Sequence, residues 1–197
     1  DQVALGTATD PYQPIEGHYR LTRGALEALS TGRTPIGLVT KGPMVVRDAD
    51  LLAEMGRGAG CTVYVSLPTV DEDAWRTLEP GTAHPLQRLR AVRDLVDAGL
   101  HAGVLMAPIV PGFSSSRDKL ERTVKAIADH GARFAGCNVM YLQDGTRSHF
   151  MKFLERDRQG RYYNTPLGSM YLVRTSPRYI GGILEMLSAR LSKFWHD

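Results

Sequence analysis

The chain has 197 residues, is 43% hydrophobic and 23% charged, and carries a formal net charge of +3, values ordinary for one soluble globular domain with a sizeable core. No apolar run approaches the roughly 18 residues of a membrane-spanning helix, so no membrane partner is expected. The charge is uneven: residues 1–144 hold fifteen Lys/Arg against seventeen Asp/Glu, and residues 145–197 hold nine against four. The C-terminal segment is therefore either attractive to a polyanion or a solvated face of scattered arginines.

In chain order, one pattern repeats: an apolar β-rich stretch, a polar or Pro/Gly turn, then an amphipathic helix. Candidate strands are QVALGT (2–7), IGLVT (36–40), TVYVSL (62–67), AGVLMAP (102–108) and FAGCNVMYL (134–142). Their Val/Ile/Leu-rich runs mostly lack clean alternation, as expected of strands covered on both faces of a parallel sheet. Between them, Leu86, Leu89, Val92 and Val96 fall on one helical stripe, as do Leu120, Val124 and Ile127. Ser115 with Asp118 predicts a cap for the second of these helices, and Gly99 and Gly131 predict where the two end. Five units are too few for an eight-stranded barrel, leaving an open doubly wound sheet or part of a barrel. After Asp144 the rhythm breaks. HFMKFLE and IGGILEMLSARLSKFW, with Ile180, Ile183, Leu184, Leu187, Leu191 and Phe194 on one stripe, predict C-terminal helices joined by RQGRYYNTPLG as a loop. The expected organisation is thus a core over residues 1–144 and a helical extension over 145–197.

Two cysteines, Cys61 and Cys137, stand 76 positions apart without a CxxC pair. They predict core thiols in a reducing cytoplasm, and no metal site is expected within the chain. GxGxxG after the first strand, GxxxxGK[ST], GxSxG and HExxH are all missing from the sequence, which disfavours a Rossmann dehydrogenase and a P-loop NTPase.

Parallel α/β folds bind ligands at the C-terminal ends of their strands. Those ends carry Thr7, Thr9 and Asp10; Thr40, Lys41 and Gly42; Ser66; Pro108 and Ile109 with Val110-Pro111-Gly112; and Met140 and Tyr141. One ammonium, several hydroxyls, one acid and an apolar wall suit a nucleotide bearing an anionic group. Each residue also has a plainer use. Thr7 and Thr9 could cap a helix, Lys41 could be a surface lysine, and Asp10 before Pro11 could form a turn. No acid–base pair stands out, so no catalytic residue is assigned.

TATDPYQPIE, LVTKG, VYVSL, LEPGTAHPLQRLRAVRDLVDAGL and VLMAPIVPGFSSS, in that order, resemble the radical S-adenosylmethionine proteins, in the branch related to spore photoproduct lyase. The resemblance spans about residues 3–142. It implies a partial TIM-type barrel of six βα units, of which five are visible here. The first unit of that family carries a CxxxCxxC loop holding a [4Fe–4S] cluster. No such motif occurs here, and the chain opens at Asp1 almost inside a strand, so the expectation is a fragment whose cluster-binding unit precedes it.

By position, the resemblance implies that Thr7, Thr9 and Asp10 contact the amino group of S-adenosylmethionine and Lys41 its carboxylate. Ser66 would lie near the carboxylate or the ribose, and Pro108 and Ile109, with Met140 and Tyr141, would pack on adenine. The implied chemistry is one-electron cleavage of the sulfonium by the reduced cluster, fed by an external electron donor. The resulting 5′-deoxyadenosyl radical would take hydrogen from an unknown substrate, with nucleic acid one candidate. Photoproduct repair itself is disfavoured, because Ala8 stands where that lyase carries a cysteine. Two other readings stay open: a nucleotide-binding module without redox chemistry, and a lyase or aldolase using Lys41 as a Schiff base, which would need a desolvating pocket.

Overall fold

In a computed structural model of the chain, the structure describes residues 1–140, 142 and 144–155. Strands β1 (Val3–Leu5), β2 (Ile36–Thr40), β3 (Cys61–Ser66), β4 (His101–Ile109) and β5 (Ala135–Val139) alternate with helices. These are α1 (Glu16–Tyr19), α2 (Leu21–Thr31), α3 (Ala49–Gly58), α4 (Glu72–Leu78), α5 (Pro85–Asp97), α6 (Arg117–Asp129) and α7 (Asp144–Glu155). A 3₁₀ turn, Pro43–Asp48, precedes α3.

All five strands are parallel and lie in the order β1-β2-β3-β4-β5. A doubly wound sheet needs a point where strand order reverses, and none occurs. With crossovers of one hand, every helix falls on the same face and the sheet forms an arc of a barrel. The expected α/β partial barrel is what is observed.

Register explains the burial. Ile36, Leu38, Val63, Val65, Ala102, Val104 and Met106 point to the helices and are essentially inaccessible, with Leu26, Leu52, Leu89, Leu95, Leu120 and Ile127 packed over them. The opposite face carries Ala4, Gly37 and Thr62, then Val39, Tyr64 and Gly103. Its larger side chains are only partly covered. Gly103 is required there, since a Cβ would meet the ring of Phe134 at 2.7 Å.

Two sequence expectations shift. The buried stripe of α5 runs through Arg88, Leu89, Val92 and Leu95, leaving Leu86 exposed. Ser115 does not cap α6; its Oγ accepts from the Gly112 amide at 3.0 Å, and the helix begins after Ser116. Gly99 and Gly131 do close their helices, at positive φ of 85° and 72°. Helix α7 packs Phe150, Met151 and Leu154 on Phe113, Val110 and Ala74. The helix expected over residues 180–194 and the RQGRYYNTPLG loop lie outside the described residues.

One buried ionic cluster shapes the segment between β1 and α3. Asp48 has no exposed surface, and it accepts from Arg23 Nη1 at 2.9 Å, Arg47 Nη2 at 2.8 Å, Arg47 Nε at 3.0 Å and the Tyr12 hydroxyl at 3.0 Å. Glu16 accepts from Arg47 Nη2 at 2.9 Å and from the Thr22 amide at 3.1 Å. Burial pushes both carboxyls upward, but the bonds from Arg47, with Arg23 and Tyr12 at Asp48 and the Thr22 amide at Glu16, outweigh it and hold them below the usual range.

Breaking a buried pair leaves an uncompensated charge, so Asp48→Ala is expected to lower the unfolding free energy by about 3–5 kcal/mol, against less than about 1 kcal/mol for Arg76→Ala in an exposed pair. Urea titration measures both. Because the folded carboxyls titrate low, their contribution is full above the unfolded carboxylate range and is lost as pH falls through the folded values. Asp48→Asn should therefore flatten the acid limb of a stability–pH profile. At the tip of β1, Gly6 has φ of 86° and a Cβ there would run into the Val39 carbonyl, whereas Gly24 on α2 has open space around it. Gly6→Ala should lower the melting temperature sharply, and Gly24→Ala should stabilise by roughly 0.5–1 kcal/mol.

Candidate functional site

The ends of β1 to β4 form one continuous hydrogen-bonded rim. Thr40 Oγ1 donates to Asp10 Oδ1 at 2.6 Å, and the Lys41 and Tyr12 amides donate to the same carboxylate at 2.7 and 2.8 Å. These bonds tie the loop after β1 to the end of β2. Gly42 follows, so close to Tyr12 that a Cβ would lie 2.6 Å from its carbonyl oxygen. Lys41 Nζ pairs with Glu79 Oε1 at 2.7 Å, and Glu79 Oε2 pairs with Arg88 Nη1 at 2.8 Å. The same Nη1 donates to the Ser66 carbonyl at the end of β3, at 2.9 Å. Ser66 Oγ lies 3.5 Å from the Ala107 carbonyl on β4, a long and weak bond.

The expected site residues divide accordingly. Thr7 and Thr9 are exposed, and neither hydroxyl is engaged among the described residues. Asp10 is partly buried with three donors around its carboxylate, which leaves capacity for about one more of its roughly four acceptor sites. Lys41 is half-buried and keeps two ammonium hydrogens beyond the bond to Glu79. Ser66 is buried, and its hydroxyl is only weakly held.

The apolar wall is less unified. Pro108 is exposed at the end of β4, while Ile109 is fully buried in the helix-side core and its carbonyl accepts from the Met140 amide at 2.9 Å. Met140 packs against the Phe113 cluster. The sequence placed Ile109 on the ligand side of the rim, but the register shift in β4 between Met106 and Ile109 interrupts the alternation and returns its side chain to the core. Tyr141 lies outside the described residues.

Glu79 and Arg88 were not among the expected site residues. Arg88 is 1% exposed, and beyond Glu79 and the Ser66 carbonyl it donates from Nε to the Ala83 carbonyl at 2.9 Å and from Nη2 to Thr82 Oγ1. A guanidinium on the apolar stripe of α5 was the available signal, since a buried cation requires an acid nearby. Assuming Leu86 on that stripe rotated the helix and hid it.

The chain's own residues do not fit an iron–sulfur cluster, which takes several cysteine thiolates. The sequence holds two cysteines. Cys61 is buried and Cys137 packs against the main core. Burial pushes the Cys61 thiol up to about 12 and raises that of Cys137 as well. Among the described residues no group of His, Cys, Asp and Glu could hold a metal ion, and no helix is long and apolar enough to cross a membrane. The rim keeps room at Asp10 for one further donor and at Lys41 for further acceptors.

Uncharacterized proteins of Mycobacterium bovis and Mycobacterium tuberculosis are 38% identical over 194 residues, 98% of this chain and 55% of theirs. An uncharacterized protein of Acidianus two-tailed virus is 31% identical over 132 residues, 66% of this chain and 42% of the viral protein. The chain thus spans about half the length of the curated relatives it matches. No family model matches it.

Among solved structures, a spore photoproduct lyase variant superposes with a TM-score of 0.66 at 16% identity, over 99% of this chain and 58% of that one. Another variant, with bound AdoMet and dinucleoside spore photoproduct, gives 0.58 at 18% identity over 80% of this chain and 46% of that one. The chain shares the spore photoproduct lyase fold. At such identities the likeness reaches the backbone and stops there.

The cysteine environment yields a direct test. Alkylation by iodoacetamide at pH 8 should be slowest for buried Cys61, slow for partly buried Cys137 with its raised thiol, and fast for both in urea, because only the accessible thiolate reacts. Mass spectrometry of tryptic peptides reads each site separately, and rapid modification of native Cys137 would show that β5 does not shield it.

Proposed function

We propose that this chain is the S-adenosylmethionine-binding part of a radical S-adenosylmethionine enzyme, with the cluster ligands carried by a segment outside it. The observation that carries this reading is the gathering of Thr7, Thr9, Asp10, Lys41 and Ser66 at one end of a parallel arc. Its fold neighbours are spore photoproduct lyases, one of them with bound AdoMet, and the relatives are long enough to hold a further unit. In this reading the Lys41 ammonium takes the methionine carboxylate. Asp10 and the Thr7 and Thr9 hydroxyls take the amino group, Ser66 lies beside the ribose, and Pro108 and Met140 border the adenine. Held against a cluster ligated outside this chain, S-adenosylmethionine would supply the hydrogen-abstracting chemistry. The residues of this chain bind and orient the nucleoside and screen it from water.

A Schiff-base role for Lys41 finds little support. Its Nζ is 2.7 Å from a carboxylate and its side chain is 40% exposed, the opposite of the apolar pocket that role needs. For the substrate, a nucleic-acid component is the class argued by the neighbour bound to a dinucleoside photoproduct.

The deciding experiment is anaerobic expression of the full-length natural protein, followed by S-adenosylmethionine and dithionite. Release of 5′-deoxyadenosine is expected; a cluster-loaded protein releasing none would overturn the reading. Lys41→Met should weaken S-adenosylmethionine binding by about tenfold or more, the scale of a lost charge-assisted hydrogen bond, as read by calorimetry.

A further inference from the structure

The rim contains a carboxylate that binding an anionic ligand does not obviously call for. Glu79 follows α4, its side chain is 11% exposed, and it sits 2.7 Å from Lys41 Nζ. Taken alone it is an obstacle, because it occupies the cation a ligand carboxylate would use.

The rest of its environment says otherwise. Glu79 Oε2 lies 2.8 Å from Arg88 Nη1, and Arg88 is 1% exposed. The other oxygens that Arg88 meets are neutral, on Ser66, Ala83 and Thr82. If Glu79 swung out to free Lys41, a buried guanidinium would lose its counter-charge, which costs far more than an exposed ion pair returns. Glu79 must therefore stay, and Lys41 stays tethered to it.

Along the rim the charges alternate: Asp10 negative, Lys41 positive, Glu79 negative, Arg88 positive. Such a row is balanced overall and suits a zwitterion better than a polyanion.

We propose that Glu79 is a positioning residue. Anchored by Arg88, it holds the Lys41 ammonium over the ends of β2 and β3, where its two remaining N–H groups meet the carboxylate of an amino-acid-bearing nucleoside. This inference rests on the binding reading given under Proposed function, and it adds a preference: the amino-acid moiety is selected by the tethered lysine, not merely tolerated.

Calorimetry on the full-length natural protein with two probes, S-adenosylmethionine and methylthioadenosine, tests it. The second probe keeps the nucleoside and lacks the amino acid. Wild type should prefer S-adenosylmethionine, and Glu79→Gln should reduce that preference by about tenfold while leaving methylthioadenosine affinity unchanged. Glu79→Asp keeps the charge but is too short to span both cations, so it should fall between the two. It carries the test if the Gln variant does not fold. A purely structural Glu79 would weaken both probes together, and a blocking Glu79 would raise S-adenosylmethionine affinity on substitution; either result overturns the proposal. An unchanged preference in a wild type that does prefer S-adenosylmethionine overturns this inference alone. A wild type that binds neither probe overturns the binding reading and this inference with it.

Discussion

A carboxylate with no exposed surface has to be met by donors from several directions, and Asp48 is met by Arg23, Arg47 and Tyr12. Those three residues come from the loop after β1, from α2 and from the 3₁₀ turn before α3, so one buried charge fixes how three consecutive connections stack. Arg47 spans Asp48 and Glu16, and its guanidinium carbon also lies 5.8 Å from the Tyr12 ring centre. The loop that carries Thr7, Thr9 and Asp10 is held from below by this cluster.

Above that anchor, the rim economises on free charge. Each ionised group at the ends of β1 to β3 is bonded to a neighbour, and the neighbours belong to different strands or loops. Asp10 joins β1 to β2, Glu79 joins β2 to the α4–α5 connection, and Arg88 joins that connection to β3. A ligand arriving here would meet a prearranged row of donors and acceptors rather than mobile side chains, which lowers the ordering cost of binding. The hydroxyls left open, Thr7 and Thr9, stand at the exposed start of the row.

The fold and its chemistry stand on different footing. A parallel arc of five strands is common to this chain and to spore photoproduct lyase structures at 16–18% identity, because such an arc depends on apolar periodicity and crossover handedness, which many sequences satisfy. Binding and catalysis depend on a few side chains. The chain spans about half the length of its relatives, and it presents a rim of paired charges and only two cysteines, too few for a cluster.

Much of the architecture was legible in the residues. Four strand spans agree with the structure to within two residues at each end, and the fifth, FAGCNVMYL, starts one residue before β5 (Ala135–Val139) and runs on beyond Val139. Doubly apolar strands and the glycines after the helices are local signals that no distant contact overrides. The choice between a doubly wound sheet and a barrel arc was not local, since strand order depends on which edges pair.

The site divides in the same way. Asp10, Lys41 and Ser66 could be placed at strand ends by counting, because strand ends are where the local pattern changes. Their partners could not. Glu79 and Arg88 lie 38 and 47 positions beyond Lys41 in the sequence, and Glu79 bridges the two only after α5 has packed on the sheet. Ile109 shows the reverse: the sequence puts it at the rim, and a register shift in β4 between Met106 and Ile109 turns it into the core. By itself the sequence determined the sequence of strands and helices and the residue types at the rim. Only tertiary structure decided which of those residues are free, because in a low-dielectric interior every charge takes the nearest opposite charge that packing brings to it.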